Sequence, residues 1–104
     1  MTPEGEVKRD LRKYLDAQGI YYFMPVQTGY GKSTLDFLCC VRGRFVGIET
    51  KAPGKVPTAR QRRVMKDIEA AGGISIWGDN AEKIIEAIKE IMRPDYDLIG
   101  TFQC

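Results

Sequence analysis

Alternating apolar residues on either side of Arg42 and Gly43 constrain the fold more than any other part of the chain. The segment LDFLCCVRGRFVGIETK, residues 35–51, contains two strand-like runs separated by this Arg-Gly pair. If the pair forms a two-residue turn, the numbers of facing residues sum to 85, so that Asp36 faces Glu49. A three-residue turn would shift the pairing by one residue and take these two carboxylates out of direct opposition.

The alternation assigns the side chains of this hairpin to two faces, because successive residues of a strand point in opposite directions. Facing side chains have Cβ atoms about 4.5–5.5 Å apart. One face gathers Asp36, Glu49 and Lys51, so two carboxylates and an ammonium are predicted to lie close together. The other face is apolar and is expected to pack in the core; it carries Leu35, Phe37, Cys39, Val41, Val46 and Ile48.

The N-terminal third of the chain predicts a helix, a strand and a polar loop. Thr2 precedes a proline at the first helical position, and apolar residues then recur at helical spacing as far as Leu15. We therefore expect a helix over residues 3–18 that ends at Gly19. The aromatic run 20–26 predicts a strand with Pro25 near its end, followed by the loop QTGYGKST.

The C-terminal half predicts a loop, a helix, a strand and a last helix. Prolines keep residues 52–58 irregular, and Thr58 with Gln61 forms a capping box for the next helix. A strand over 74–77 follows, and Asp79 is expected to cap the last helix. The predicted fold class is an α/β domain with a mixed sheet flanked by helices, in the order α-β-β-β-α-β-α. Apolar stripes predicted on these helices are Val64, Met65, Ile68 and Ala71, and then Ile84, Ile85, Ile88, Ile91 and Met92.

Length and composition predict one soluble, intracellular domain, residues 1–104. The 104 residues are 43% apolar, contain no run near the roughly 20 apolar residues that span a bilayer, and begin with a charged helix. Cys39, Cys40 and Cys104 are expected to be reduced, because adjacent strand cysteines point to opposite faces. The chain has no histidine, which excludes histidine-dependent hydrolysis and leaves carboxylates, lysine and an oxygen-preferring cation.

The stretch GYGKST suggests a nucleotide-binding loop, but its context contradicts that interpretation. The phosphate-loop pattern requires a glycine at position 26, where this chain has Val26, and it requires a helix after the loop. The residues that follow predict a strand. We therefore expect no nucleotide cofactor, and Lys32 is assigned instead as a possible contact to a polyanion.

The facing carboxylates predict a divalent metal site. Two carboxylates this close disfavour joint ionisation unless a cation neutralises them, and their hard oxygen ligands suit Mg²⁺ or Mn²⁺. Lys51, two residues after Glu49 on the same face, is placed to orient a water or to stabilise charge on a phosphate. An isolated Glu-x-Lys more often marks a solvated strand face, so the interpretation depends on the predicted pairing with Asp36.

These motifs resemble the PD-(D/E)XK nuclease superfamily, and within it the VRR-NUC family. The likeness runs through PEGEVKRDLRKYL, YYFMPVQTGYGKSTLDFLCC, GRFVGIETKAPGKVPTARQ and AAGGISIW, about three quarters of the chain. It looks like the short stand-alone form found in phages and bacteria, which implies the cytoplasm of a bacterial or phage-infected cell. The chain departs from the superfamily pattern at Leu35, where a proline usually precedes the aspartate.

The resemblance implies a metal-dependent DNA endonuclease that cuts branched DNA such as four-way (Holliday) junctions as a homodimer. Asp36, Glu49 and the Thr50 carbonyl would bind the metal, and Lys51 would act on the attacking water. Gln61 would line the site, although a capping role explains it equally well. Glu4 matches an acidic residue of the family on the first helix, and its spacing from Val7 lets it face the sheet.

Basic residues near these motifs are candidates for contacts to DNA phosphates, although solvated faces are the ordinary role of such residues. A net charge of +2 does not by itself indicate a nucleic-acid partner. The rival interpretation is a DNA-binding module that keeps the fold without cleaving. Besides Lys32, the candidate contacts are Lys55, Arg60, Arg62 and Arg63 after the site, and Arg42 and Arg44 at the hairpin turn.

Overall fold

The structure is a computed structural model that describes residues 1–26 and 33–97. Its elements follow the predicted order α-β-β-β-α-β-α. Within the described residues, every helix is too short or too polar to cross a membrane. The elements are α1 (Pro3–Ala17), β1 (Tyr21–Phe23), β2 (Phe37–Val41), β3 (Arg44–Thr50), α2 (Ala59–Ala70), β4 (Ile74–Gly78) and α3 (Ala81–Ile91).

The four strands form one mixed sheet, as the sequence predicted, and their spatial order is β1-β2-β3-β4. The pairs β1–β2 and β2–β3 are antiparallel, and β4 pairs in parallel with β3. Strand β1 covers Tyr21–Phe23 and is shorter than the predicted run of residues 20–26. Pro25 has no N–H to donate to a neighbouring strand, which is consistent with this early end.

The hairpin between β2 and β3 has the predicted register. Val41 pairs with Arg44 and Phe37 pairs with Ile48, so the connection is the two-residue turn Arg42-Gly43. Both turn residues have a left-handed backbone, with φ of 51° at Arg42 and 80° at Gly43. These values are typical of a type I′ turn, whose twist matches that of the flanking strands.

Helices α1 and α3 cover one face of the sheet and enclose the core. The cluster joins apolar residues of both helices to the inward face of the sheet and includes Phe37, Cys39, Val46 and Ile48. Leu35 was expected on this face, and that prediction was wrong. Its side chain lies over Gly47 on the opposite face, because the chain bends at Asp36 before β2 begins and the strand alternation does not extend to residue 35.

The cap of α3 also differs from the prediction. Asn80, rather than Asp79, caps this helix, and its side-chain oxygen accepts from the Lys83 N–H at 2.9 Å. Asp79 instead accepts a hydrogen bond from the Gly54 N–H at 2.9 Å and from the Lys83 ammonium at 2.8 Å. The carboxylate therefore ties the loop before α2 to the start of α3, and the neighbouring asparagine takes the cap.

Helix α2 lies on the opposite face of the sheet and is packed less deeply. Its predicted capping box is present, yet none of its residues is fully buried. Gly47 permits the close approach of this helix to β3, because a Cβ at that position would lie 2.7 Å from Ile68 Cδ1 and 3.0 Å from Leu35 Cδ1. Because Gly47 has no side chain, α2 can pack this close to β3.

We expect Gly47→Ala to destabilise the protein by roughly 1–3 kcal/mol, because the added methyl overlaps Ile68 in a packed interface. Ile68→Val removes the nearest methyl and should recover part of that loss when combined with Gly47→Ala. Denaturant unfolding of the parent, both single variants and the double variant measures the coupling. Strictly additive effects would contradict the proposed contact.

Candidate active site

The polar residues of the hairpin meet on the face of the sheet that α2 partly covers. They line a cleft of about 270 Å³ together with the start of α2, and Ser33, Thr34, Thr58, Arg60 and Val64 form the rest of its wall. Asp36, Glu49, Arg60 and Gln61 all line this cleft, so the structure brings together four of the predicted site residues. Ser33 and Thr34 were not predicted as site residues, since their position follows from the bend at Asp36.

Asp36 is anchored by the residue that follows Glu49. The Thr50 N–H donates to Asp36 Oδ2 at 3.0 Å, and the Thr50 hydroxyl donates to the same oxygen at 2.8 Å. Thr50 is fully buried, so these two donors hold the carboxylate in a fixed position. Asp36 lies just before β2, where the register of the hairpin sets it beside the end of β3.

Glu49 is a buried carboxylate, with 3% of its surface exposed. Burial and the nearby Asp36 carboxylate raise the pKa of Glu49 to about 8, although the Lys51 ammonium acts in the opposite direction. A hydrogen bond with the Asp36 side chain raises this pKa further, whereas one with the Asp36 main chain lowers it. In the metal-free protein the pair therefore carries less than two negative charges at neutral pH.

Gln61 connects the cap of α2 to this pair of carboxylates. Its amide Nε2 donates to Glu49 Oε2 at 2.6 Å, and its Oε1 accepts from the Thr58 N–H at 2.9 Å. The Lys51 ammonium also donates to Gln61 Oε1, at 3.4 Å. One side chain thus makes both the capping contact and the site contact that the sequence suggested, and its role in any reaction remains a prediction.

Glu4 faces the site, but a lysine stands between it and Asp36. Lys8 on α1 places its ammonium 3.7 Å from Glu4 Oε2 and 3.8 Å from Asp36 Oδ1. Lys8 was not among the predicted site residues. Its spacing of four residues from Glu4 indicates a helix-surface ion pair, whereas its contact with Asp36 depends on how α1 packs against the sheet.

The predicted DNA-contacting residues do not all lie near the cleft. Arg60 lines it, whereas Arg42 and Arg44 lie at the turn end of the hairpin, about 17 Å along β3 from Glu49. Arg44 donates to Asp97 and its guanidinium lies 5.1 Å from the Tyr96 ring centre, which gives it structural partners there. Lys32 lies outside the described residues. Lys55, Arg62 and Arg63 are exposed near the start of α2.

The donor atoms of the cleft fit a hard divalent cation. Asp36 and Glu49 offer carboxylate oxygens, and Cys39 lies on the other face of the sheet, where burial raises its pKa to about 12. Within residues 1–26 and 33–97, no group of three or more His, Cys, Asp or Glu side chains is arranged to hold a metal. Such an ion would therefore rely on two carboxylates, with water, phosphate or main-chain oxygens as further ligands.

The raised pKa of Glu49 predicts how stability depends on pH without metal. Its folded-state pKa of about 8 exceeds the ordinary value of 4.5, so the stabilising contribution is full below about 4.5 and is lost as pH rises through about 8. Glu49→Gln should remove this decline, which we expect to be on the order of a few kcal/mol. Thermal melts in EDTA at pH 6 and pH 9 measure it, and an equal decline in both proteins would contradict the prediction.

Comparison with known proteins gives one solved structure with the same fold. No family model matches the chain, and no curated protein matches it by sequence. A solved structure described as a VRR_NUC domain superposes with a TM-score of 0.72 and 20% sequence identity, covering 86% of this chain and 97% of the other. The fold implied by the sequence resemblance is thus confirmed: the chain has the fold of a VRR_NUC domain.

Proposed function

We propose that this protein is a divalent-metal-dependent DNA endonuclease, with Asp36 and Glu49 as its metal-binding carboxylates. The observation that carries the proposal is the buried Glu49 carboxylate, which lies beside Asp36 in an open cleft and contacts an amide that also binds Lys51. A buried carboxylate beside a second, partly buried one is costly to maintain for stability alone. The arrangement becomes favourable when both carboxylates ligate a cation. The VRR_NUC fold supports the nuclease assignment.

The arrangement of side chains suits phosphodiester hydrolysis. A bound Mg²⁺ or Mn²⁺ would lower the pKa of a water and offset charge on the phosphate. The two Thr50 donors hold Asp36 still, and the Thr50 carbonyl is the proposed third protein ligand. Gln61 positions Glu49 and Lys51 relative to each other, so that the ammonium can orient the attacking water or stabilise the phosphate oxygens.

DNA would approach from the side of α2. Arg60 lines the cleft and is proposed to bind the phosphate next to the one that is cut. Exposed basic residues near the start of α2 extend this positive surface, namely Lys55, Arg62 and Arg63. The proposed substrate is branched DNA such as a four-way junction, and the resemblance to stand-alone VRR-NUC nucleases supports that choice.

The decisive experiment incubates the protein with end-labelled four-way, flap and linear DNA in the presence of Mn²⁺ or Mg²⁺. We expect cleavage of branched DNA that EDTA abolishes. Lys51→Ala and Asp36→Asn should each lower the rate by on the order of 10²-fold or more, because each removes a group that acts on the reacting phosphate or its metal.

Lys89→Ala is the matched control, because Lys89 is an exposed lysine on α3 paired with Glu86 and far from the cleft in the fold. It should cut at the parental rate. Lys51→Ala cutting as fast as the parent would contradict the proposal. A parent that binds these DNAs without cutting any of them would instead identify a non-catalytic DNA-binding module.

The proposed active form is a homodimer. Symmetric cleavage of a four-way junction requires two sites related by a two-fold axis, and a two-fold dimer would bring together two copies of the Asp36–Glu49 site. Light scattering coupled to size exclusion should give the mass of two chains, and mixing parent with Lys51→Ala protein should yield junctions nicked on one strand. A monomer that still makes paired cuts would contradict the dimer.

A further inference from the structure

The ammonium of Lys8 lies between carboxylates from two different parts of the fold. Glu4 belongs to α1, whereas Asp36 belongs to the segment that leads into β2. Lys8 Nζ is 3.7 Å from Glu4 Oε2 and 3.8 Å from Asp36 Oδ1. Both distances exceed an ordinary hydrogen bond, so the lysine acts on the two carboxylates mainly through its charge.

Asp36 divides its two oxygens between different partners. Oδ2 accepts both donors of Thr50, whereas Oδ1 faces Lys8 on the α1 side. The Asp36 side chain is 17% exposed and that of Lys8 is 31% exposed, so this ion pair is only partly screened by water. The positive charge of the Lys8 ammonium therefore lies on the side of Asp36 that faces Glu4.

We propose that Lys8 is a built-in cation that limits the site to one divalent metal ion. The inference depends on the proposed function, in which Asp36 and Glu49 bind a metal. A second ion between Glu4 and Asp36 would need oxygen ligands at about 2.0–2.2 Å, and it would occupy the space beside the ammonium. Repulsion between the Lys8 ammonium and a divalent ion disfavours binding of that second ion. Lys8 also offsets one of the two negative charges that would otherwise attract it.

Lys8 is thus a positioning residue, and its effect is measurable without catalysis. The experiment counts Mn²⁺ ions bound per chain by electron paramagnetic resonance and by calorimetry at low ionic strength. The variants are Lys8→Gln, which keeps a polar side chain but removes the charge, and the double variant Lys8→Gln with Glu4→Gln. Lys13→Gln is the matched control, because Lys13 is an exposed lysine of the same helix.

We expect the parent and Lys13→Gln to bind one Mn²⁺ per chain. Lys8→Gln should bind two, with the second ion held more weakly, and the double variant should return to one. Thermal melts in EDTA check that each variant is folded. Because Lys8 is partly exposed, we expect its substitution to leave the fold intact.

Two results would overturn the inference: a parent that already binds two ions, or a Lys8→Gln protein that binds one ion with the parental affinity. In either case metal binding by Asp36 and Glu49 would still stand. A parent that binds no Mn²⁺, with or without junction DNA, would overturn the metal-dependent function as well.

Discussion

Two residues with left-handed backbone, Arg42 and Gly43, set the register of the hairpin on which the rest of the molecule depends. A turn of two residues places Phe37 opposite Ile48 and carries Asp36 to the end of β3, beside Glu49 and Thr50. Since side chains alternate along a strand, a shift of one residue would exchange the core face for the polar face. The same register therefore determines both what packs under α1 and α3 and what lines the cleft.

The cleft is stabilised by contacts that each serve a second purpose. Gln61 caps α2 through the Thr58 N–H and also donates to Glu49, so formation of the helix and placement of the buried carboxylate are linked. Thr50 ends β3 and supplies both donors to Asp36. Because the polar groups are paired in this way, the burial of Glu49 is tolerated while its pKa is raised to about 8.

The two faces of the sheet are packed to different degrees, and this difference locates the site. Helices α1 and α3 bury the apolar face completely, whereas α2 lies across the other face with no fully buried residue of its own. The helix approaches β3 closely at Gly47, and an open cleft lies near its N-terminus, where Gln61 donates to Glu49 and Arg60 forms part of the wall. A helix packed as deeply as α1 would leave less room for such a cleft.

The sequence by itself determined the order of the elements, the register of the hairpin and the grouping of Asp36, Glu49 and Lys51. These follow from local rules, namely turn geometry, strand alternation and helix capping, which need no knowledge of distant contacts. Tertiary structure alone decided that Leu35 crosses to the face covered by α2 and that Lys8 meets Asp36. Each of these depends on where a chain bends or where a helix docks, and residues far apart in the sequence set those positions.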